Sequence, residues 1–304
     1  MPVSTQRYDL LHKRSEQFTR MLHGLERGDV RALHRTRVSS RRLREVLPIL
    51  QLDGDVTRKL SRRLRKVTRR LGRVRNLDVL LLLIDELQDS GRPGGDSLKR
   101  LAAVVSEERA EERERLLAKL PTAALHRVAG KLDKIARQLK ATERSASARD
   151  RHKARSWRWA VEARLAWRAA RFGAAIKDAG AVYLPERLHA VRIALKKMRY
   201  AVELSVEIAG QQTTPELRTL KRGQALLGRL HDLQVLIDRV RQLQASLTPP
   251  DLVVWREFDA LVPSLENDCR RLHARYMRDR AALLAICDRD GARPSASAAR
   301  RRAG

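Results

Sequence analysis

The chain has 304 residues, of which 43% are hydrophobic, so it can bury one large core or two of ordinary size. Its formal net charge is +29, from 65 Lys and Arg against 36 Asp and Glu. This excess predicts a polyanionic partner: nucleic acid, polyphosphate or an anionic membrane surface. Aromatic residues make up only 4%, and the apolar residues are mostly Leu, Ala and Val. This composition favours helices and argues against a fold of many short strands.

Apolar periodicity and turn residues divide the chain into helices, the first of which ends at Gly28 and Asp29. Residues 141–152 are polar and aperiodic and predict a linker, and residues 288–304 predict a disordered basic tail. The prediction is an all-α fold of two tandem, pseudo-symmetric units, residues 1–140 and 153–287. The predicted helices cover residues 5–27, 30–51, 56–88 with a kink at Gly72, 98–120, 123–139, 153–178, 186–209, 214–246 and 250–287.

Two sequence blocks occur twice, in the same order. LHRTRVSSRRLR at residues 33–44 aligns with LHAVRIALKKMR at residues 188–199, at an offset of 155. LGRVRNLDVL at residues 71–80 aligns with LGRLHDLQVL at residues 227–236, at an offset of 156. Because the offset is nearly constant, we predict a duplication whose two halves are related by a pseudo-two-fold axis.

The first block of each half predicts a helix with one cationic face. An α-helix turns about 100° per residue, so the third, seventh and tenth residues after His34 return to its side, opposite the apolar residues. Like charges so close repel, and a linear phosphate chain would neutralise them with release of its counterions. We therefore expect an extended polyanion. These faces comprise His34, Arg37, Arg41 and Arg44 in the first half, and His189, Arg192, Lys196, Arg199 and Tyr200 in the second.

The long helix that follows in each half carries a second cationic stripe. A charged stripe opposite an apolar stripe is also what any surface helix shows, but these stripes are almost purely cationic and recur in both halves. The stripe comprises Arg62, Lys66, Arg69 and Arg73 in the first half, and Arg218, Arg222 and Arg229 in the second.

For other polar and aromatic residues a structural role is as open as a functional one. His34 and His189 are either structural or donate to a bound phosphate, because an anion favours the protonated form. Asp78 is expected to cap a turn or to pair with an Arg in the interior. Structural roles are also predicted for Asn76 and Asp232, and core positions for Trp157, Trp159 and Trp167.

The sequence offers no signature of catalysis or of a metal site. It has no His, Cys, Asp and Glu cluster at metal-ligand spacing, no Gly-rich phosphate loop and no acid placed as a base. Cys269 and Cys287 are too few for a disulfide framework. The longest apolar run, residues 79–84, is too short to span a bilayer, and the first residues lack a signal-peptide core. We expect a cytoplasmic protein that is not an enzyme and uses no cofactor or metal.

The pattern H-x-x-R-V-x-x-R-R-L-R followed by L-G-x-x-R-x-L-D-V resembles the CHAD domain, the conserved histidine α-helical domain, over about residues 5–287. The resemblance implies two four-helix units around a basic central channel. It also implies binding of inorganic polyphosphate and association with polyphosphate granules in bacteria or archaea. The basic residues of the family motif fall on His34, Arg37, Arg41, Arg42 and Arg44, and on His189, Arg192, Lys196, Lys197, Arg199 and Tyr200.

The sequence departs from the family pattern at three positions. Asn76 stands where the family usually has Asp, Gln234 aligns with Asp78, and Glu45 aligns with Tyr200. These departures predict that the two halves grip the ligand unequally. The triphosphate-tunnel domain with rows of acidic residues, which is fused to many relatives, is not found in this sequence.

Three alternatives to simple polyphosphate binding stay open at this point. Non-specific nucleic-acid binding suits the charge and the basic residues 300–302, although no sequence-reading motif is present. A phosphohistidine-forming enzyme would use His34 or His189 as acceptor. A granule scaffold would bind polyphosphate and leave the chemistry to a partner protein.

Overall fold

The computed structural model describes residues 7–90, 95–119, 122–144, 151–246 and 251–302, with the side chains of residues 151–156 and 292–302 left aside. These residues form α-helices and one 3-10 turn, Leu47–Ile49, and contain no strand, which confirms the all-α prediction. The helices are α1 (Arg7–Arg20), α2 (Leu22–Glu26), α3 (Val30–Val46), α4 (Gly54–Arg70), α5 (Gly72–Asp89), α6 (Gly95–Ala118), α7 (Thr122–Arg144), α8 (Arg151–Ala179), α9 (Pro185–Ile208), α10 (Pro215–Ala245) and α11 (Leu252–Arg302).

Two of the predicted helices are interrupted. The helix predicted over residues 5–27 is α1 and α2, which meet at Met21. The helix predicted over residues 56–88 is α4 and α5, which meet at Leu71, next to the predicted kink. The helix predicted over residues 30–51 ends earlier, at Val46, because Pro48 lacks the amide hydrogen that another helical turn would need.

Side-chain caps fix where α3, α4 and α10 begin. The carboxylate of Asp29 accepts a hydrogen bond from the backbone N–H of Arg31 (2.7 Å), and that of Asp53 accepts from the N–H of Val56 (3.0 Å). The hydroxyl of Thr214 accepts from the N–H of a residue in the first turn of α10 (3.3 Å). Each cap satisfies a backbone donor that the helix itself leaves free, and so sets the start of a helix that carries predicted site residues.

The helices on either side of the predicted linker and the last helix of the chain extend further than the sequence predicts. Helix α7 continues to Arg144 and α8 begins at Arg151, so only residues 145–150 of the predicted linker lie outside the described residues. Helix α11 continues to Arg302, beyond the predicted limit at residue 287, and Asp290 is buried. The disorder predicted for residues 288–304 stays a prediction.

The described apolar side chains are buried in three clusters. The first joins α1 to α4 with α7, includes side chains of α5, α8 and α9, and contains Phe18 and Leu64. The second lies among α8 to α11 and contains Leu195. The third combines α5 and α6 with α10 and α11, and includes Leu80 and Leu236. Because α5 and α6 share a core with helices of the other half, the buried core does not divide at the predicted linker. The pseudo-two-fold relationship of the halves stays a prediction.

The tryptophans of α8 correct one expectation. Trp157 is buried, but Trp159 and Trp167 are 51% and 46% exposed, so the prediction of core positions is wrong for these two. The buried face of α8 follows Trp157 and Leu165. Trp159 and Trp167 each come two residues later, which is about 200° around the helix.

Several smaller expectations are settled by the same structure. Asp78 is buried and accepts a hydrogen bond from Nε of Arg109 (2.6 Å), which confirms its interior pairing with an arginine. Cys269 and Cys287 are both buried and both free. None of the helices in the described part of the chain combines the length and the apolar character needed to cross a bilayer.

Candidate polyanion-binding site

A cleft of about 600 Å³ lies between α3 and α9, and α5 and α10 also contribute side chains to it. The structure thus brings together the two helices whose cationic faces recur in the sequence. Of the residues predicted to bind the polyanion, those that line the cleft are His34, Arg37, Arg41, Arg44, His189, Arg192, Lys196, Lys197, Arg199 and Tyr200.

The cleft is strongly cationic. Its lining contains eight Lys and Arg side chains but only two carboxylates, those of Glu45 and Asp232, so the formal excess is six positive charges with every Lys and Arg protonated and every His neutral. At this spacing the cations repel one another, and an anion in the cleft would relieve the repulsion.

The amphipathic pattern of α3 and α9 explains how the cations come to line the cleft. Helix α3 buries Leu43 and Val46 in the first apolar cluster, and α9 buries Val191 and Leu195 in the second. The cations recur at intervals of three or four residues on the other side of each helix, because residues at these intervals share a face. The two cationic faces therefore face each other across the cleft.

Burial and neighbouring cations make the charged forms of these side chains unfavourable. Burial, followed by Arg192, Arg41 and Arg37, lowers the pKa of Lys196 to about 7. Burial, followed by neighbouring arginines of which Arg41 is the foremost, lowers the pKa of Arg37 to about 10. At neutral pH Arg37 is therefore charged, whereas Lys196 is close to half charged.

Two arginines of the cleft have hydrogen-bond donors without an acceptor. The Nε atoms of Arg37 and Arg192 are buried and have no hydrogen-bond partner among the described residues. Nη2 of Arg192 is 3.9 Å from Oδ1 of Asp232, too far for a hydrogen bond. Buried donors are normally satisfied, and the oxygens of a phosphate chain are acceptors of the right kind.

A second histidine, His231 of α10, joins His189 in the cleft. The Nδ1 atoms of the two rings are 3.3 Å apart and the ring centroids 4.5 Å apart. Burial, followed by Arg192, His189 and Lys196, lowers the pKa of His231 to about 4, and burial also lowers the pKa of His189. On the first half, burial and then Arg75 lower the pKa of His34. In the free protein the neutral form is therefore favoured for all three rings.

Sequence reasoning missed Arg75 and His231 and interpreted Asn76 and Asp232 as structural, yet all four line the cleft. The second repeated block contained the signal. At its offset of 156, Arg75 aligns with His231 and Asn76 with Asp232. Polar side chains at matched positions of a repeated block thus indicated a shared surface, as the cations of the first block did.

The structure does not bring the predicted second stripe into the cleft. Nη1 of Arg73 is 3.8 Å from a carboxylate oxygen of Glu112, and Arg229 donates to both oxygens of Glu86 at 2.7 and 2.6 Å. The stripe of α4 faces solvent because its apolar residues are buried on the other side, against the first cluster. The remaining stripe residues, all exposed, are Arg62, Lys66, Arg69, Arg218 and Arg222.

Arg42 and Lys66 have separate surroundings. Nη2 of Arg42 lies beside the cleft, 3.7 Å from a carboxylate oxygen of Glu203, and Glu203 also accepts a hydrogen bond from Arg199. Lys66 lines a groove between α4 and α7. Neither residue is in the lining of the cleft, although the sequence predicted both as ligands.

Glu45 forms part of the cleft wall and connects it to α8. Its Oε2 accepts hydrogen bonds from Nη2 of Arg164 (3.0 Å) and from Nε of Arg168 (3.1 Å). The carboxylate is thereby already neutralised by α8, and it reduces the positive charge of the cleft little.

The donor set of the cleft suits an anion and not a metal. Across the described residues, no three His, Cys, Asp or Glu side chains are grouped so that they could hold a metal ion. Guanidinium, ammonium and phenol groups supply hydrogen-bond donors instead.

Comparison with known proteins identifies the family. The family model of the CHAD domain matches residues 9–241, which include every residue lining the cleft. The chain belongs to the CHAD domain family. The crystal structure of the CHAD domain from the plant Ricinus communis has a similar fold, with a TM-score of 0.57 and 21% sequence identity over 95% of each chain. No sequence among the curated proteins matches this CHAD protein.

Proposed function

We propose that this CHAD protein binds inorganic polyphosphate in the cleft between α3 and α9. The observation that carries the proposal is the cleft itself, in which eight Lys and Arg side chains from three helices face two carboxylates. A linear chain of phosphates offers anionic oxygens along its whole length, and arginine binds such oxygens with two parallel hydrogen bonds.

Two properties of the lining support a chain of phosphates over a single small anion. The cations are spread along α3 from Arg37 to Arg44 and along α9 from Arg192 to Arg199. Seven residues of helix span about 10 Å, which is longer than one phosphate group. The unsatisfied Nε donors of Arg37 and Arg192 come from opposite sides of the cleft, so one chain can accept hydrogen bonds from both.

The proposed role is binding without a chemical step, in the cytoplasm and at polyphosphate granules. The polar groups of the lining are mostly donors, and they hold an anion rather than activate water. The family resemblance supports granule association. A fluorescent fusion of the whole chain that stays dispersed in cells with visible granules would refute the localisation and leave the binding proposal intact.

Binding is tested by competition fluorescence anisotropy. A labelled long-chain polyphosphate is displaced by unlabelled polyphosphate, duplex DNA, RNA or orthophosphate at fixed ionic strength. The test variant combines Arg37→Ala, Arg41→Ala, Arg192→Ala and Lys196→Ala. The matched control removes the same charge outside the cleft, at the exposed Lys59, Lys131, Lys134 and Lys221.

We expect polyphosphate to displace the probe at a lower phosphate concentration than either nucleic acid. The cleft variant should lose at least a hundredfold in affinity and the control variant less than threefold, because only the cleft residues contact the chain. If both variants weaken equally, binding follows total charge and the cleft is not the site. If nucleic acid competes as well as polyphosphate, the protein is a non-specific nucleic-acid binder.

A further inference from the structure

An exposed indole lies on α8, the helix whose arginines pair with Glu45 of the cleft wall. The side chain of Trp167 is 46% exposed. The guanidinium carbons of Arg164, Arg168 and Arg171 lie 5.0, 4.5 and 5.4 Å from its ring centroid. Arg164 and Arg171 are one helical turn before and after Trp167, so the three cations lie over the ring while nearly half of the residue stays exposed. The arrangement combines an aromatic surface with donors for an anion.

The arginines around Trp167 are connected to the cleft. Arg164 and Arg168 both donate to Glu45, which is part of the cleft wall. The positive charges of Arg168 and Arg171 also act on Lys197 in the cleft, whose pKa is lowered first by burial and then by Arg168. Trp167 therefore lies at an edge of the cationic cleft and not on a remote surface.

The positive charge beside the Trp167 ring exceeds the negative charge that pairs with it. The single carboxylate of Glu45 serves two arginines. Arg171 is exposed, and within the described ranges no carboxylate forms an ion pair with it. A ligand that approaches Trp167 from the cleft thus meets an uncompensated guanidinium.

We propose that Trp167, with Arg164, Arg168 and Arg171, forms a base-binding subsite, so that the protein binds nucleoside polyphosphates with the phosphate chain in the cleft and the base on the indole. The inference rests on the proposed function, because the cleft must accept short phosphate chains. A planar base stacks on exposed indole surface, and a guanidinium beside it binds the adjacent phosphate.

A nucleotide fits the site better than a nucleic-acid strand. Proteins that bind single strands present a row of aromatic side chains on which successive bases stack. Of the large side chains exposed in the described residues, Trp167 is the aromatic one connected to the cleft wall, whereas Trp159 lies about 12 Å earlier along α8. One ring beside one cleft suits one base joined to one short phosphate chain.

The test compares adenosine triphosphate with inorganic tripolyphosphate, which has the same number of phosphates but no base. Binding of each is measured by calorimetry without added divalent cations, for the wild type, Trp167→Ala, Trp167→Phe and the control Trp159→Ala. Trp167→Ala should weaken binding of adenosine triphosphate about tenfold, from the loss of one stacked base. Tripolyphosphate binding should change less than twofold, and Trp167→Phe should retain most of the affinity for the nucleotide. Thermal unfolding checks that each variant is folded.

Intrinsic fluorescence gives a second readout. Adenosine triphosphate should quench the emission of the wild type and of Trp159→Phe, and this quenching should be lost in Trp167→Phe. If Trp167→Ala leaves nucleotide affinity unchanged while tripolyphosphate still binds, the subsite is refuted and the cleft proposal stands. If tripolyphosphate does not bind the wild type, the cleft does not accept short phosphate chains and the subsite is refuted, whereas the binding of long chains is decided by the anisotropy experiment. If Trp167→Ala weakens a single-stranded oligonucleotide more than the nucleotide, the assignment to nucleotides is overturned.

Discussion

Glu45 of α3 and Arg168 of α8 are joined through both carboxylate oxygens, although 123 residues separate them along the chain. Both side chains are buried, at 7% and 8% exposure. Arg164 shares the same carboxylate. One negative charge thus holds two cations of the second half against the wall of the cleft.

The substitution Glu45→Gln should lower the free energy of unfolding by about 3 kcal/mol, because it leaves buried guanidinium groups without their counter-charge. Urea unfolding at pH 7 measures the effect. Glu162→Gln, at an exposed position of α8, should change the free energy by less than about 0.5 kcal/mol. Equal values for the two variants would show that the Glu45 pair adds nothing to stability.

The histidine pair should make the stability of the free protein depend on pH. The folded-state pKa of His231 is about 4, below the value of 6.5 that it has in an unfolded chain. The unfolded state therefore binds the proton more readily, and the stabilisation is present above pH 6.5 and lost as the pH falls towards 4. Between pH 7 and pH 5 the wild type should lose about 2 kcal/mol more than His231→Gln, measured by urea unfolding. The control His23→Gln, exposed on α2, should behave as the wild type.

Lys196 should make polyphosphate binding weaker in alkaline solution. Its pKa is about 7 in the free protein, and a bound polyanion favours the charged form, so binding takes up a proton above pH 7. The affinity should fall roughly fivefold between pH 7 and pH 8.5 in the wild type, measured by anisotropy at constant ionic strength. In Lys196→Met the affinity should be lower at pH 7 and nearly independent of pH. A wild-type pH dependence that persists in Lys196→Met would assign the proton to another group.

The salt dependence of binding should report the number of cleft contacts. Each phosphate neutralised along a single chain contributes roughly 0.7 to the slope of log affinity against log salt concentration. Removal of Arg37, Arg41, Arg192 and Lys196 should therefore reduce the slope by about 3. The variant that lacks four exposed lysines outside the cleft should keep the wild-type slope within about 1. A reduction of the same size in both variants would indicate contacts spread over the whole surface.

Much of the cleft could be predicted because the positions of its cations follow patterns that are local in the sequence. The spacing of cations on α3 and α9 fixes their common face, and the duplication indicates that two such faces exist. The side chains that α4 and α5 contribute to the cleft could not be predicted in the same way. The predicted helix is interrupted at Leu71. The packing of α5 against α6 and α10 brings Arg75 to the cleft and leaves Arg73 exposed. Whether Arg75 or Arg73 lines the cleft depends on tertiary contacts and not on periodicity.

Long-range pairings were likewise outside the reach of the sequence. Nothing in the spacing of α8 shows that Arg164 and Arg168 meet Glu45. The helix has apolar residues on more than one side, so periodicity does not identify its buried face, and the prediction of core positions for its three tryptophans is wrong for Trp159 and Trp167. Contacts between elements more than 100 residues apart decide these positions.

The apolar cluster that α5 and α6 share with α10 and α11 affects how the protein can be divided. Residues 7–144 expressed alone would leave Leu77, Ile84 and Leu98 without the side chains that cover them in the whole chain. A soluble fragment with such an apolar face would self-associate or aggregate. The predicted halves are thus repeats in sequence that depend on each other for solubility, and the two fragments should stay in solution only when produced together.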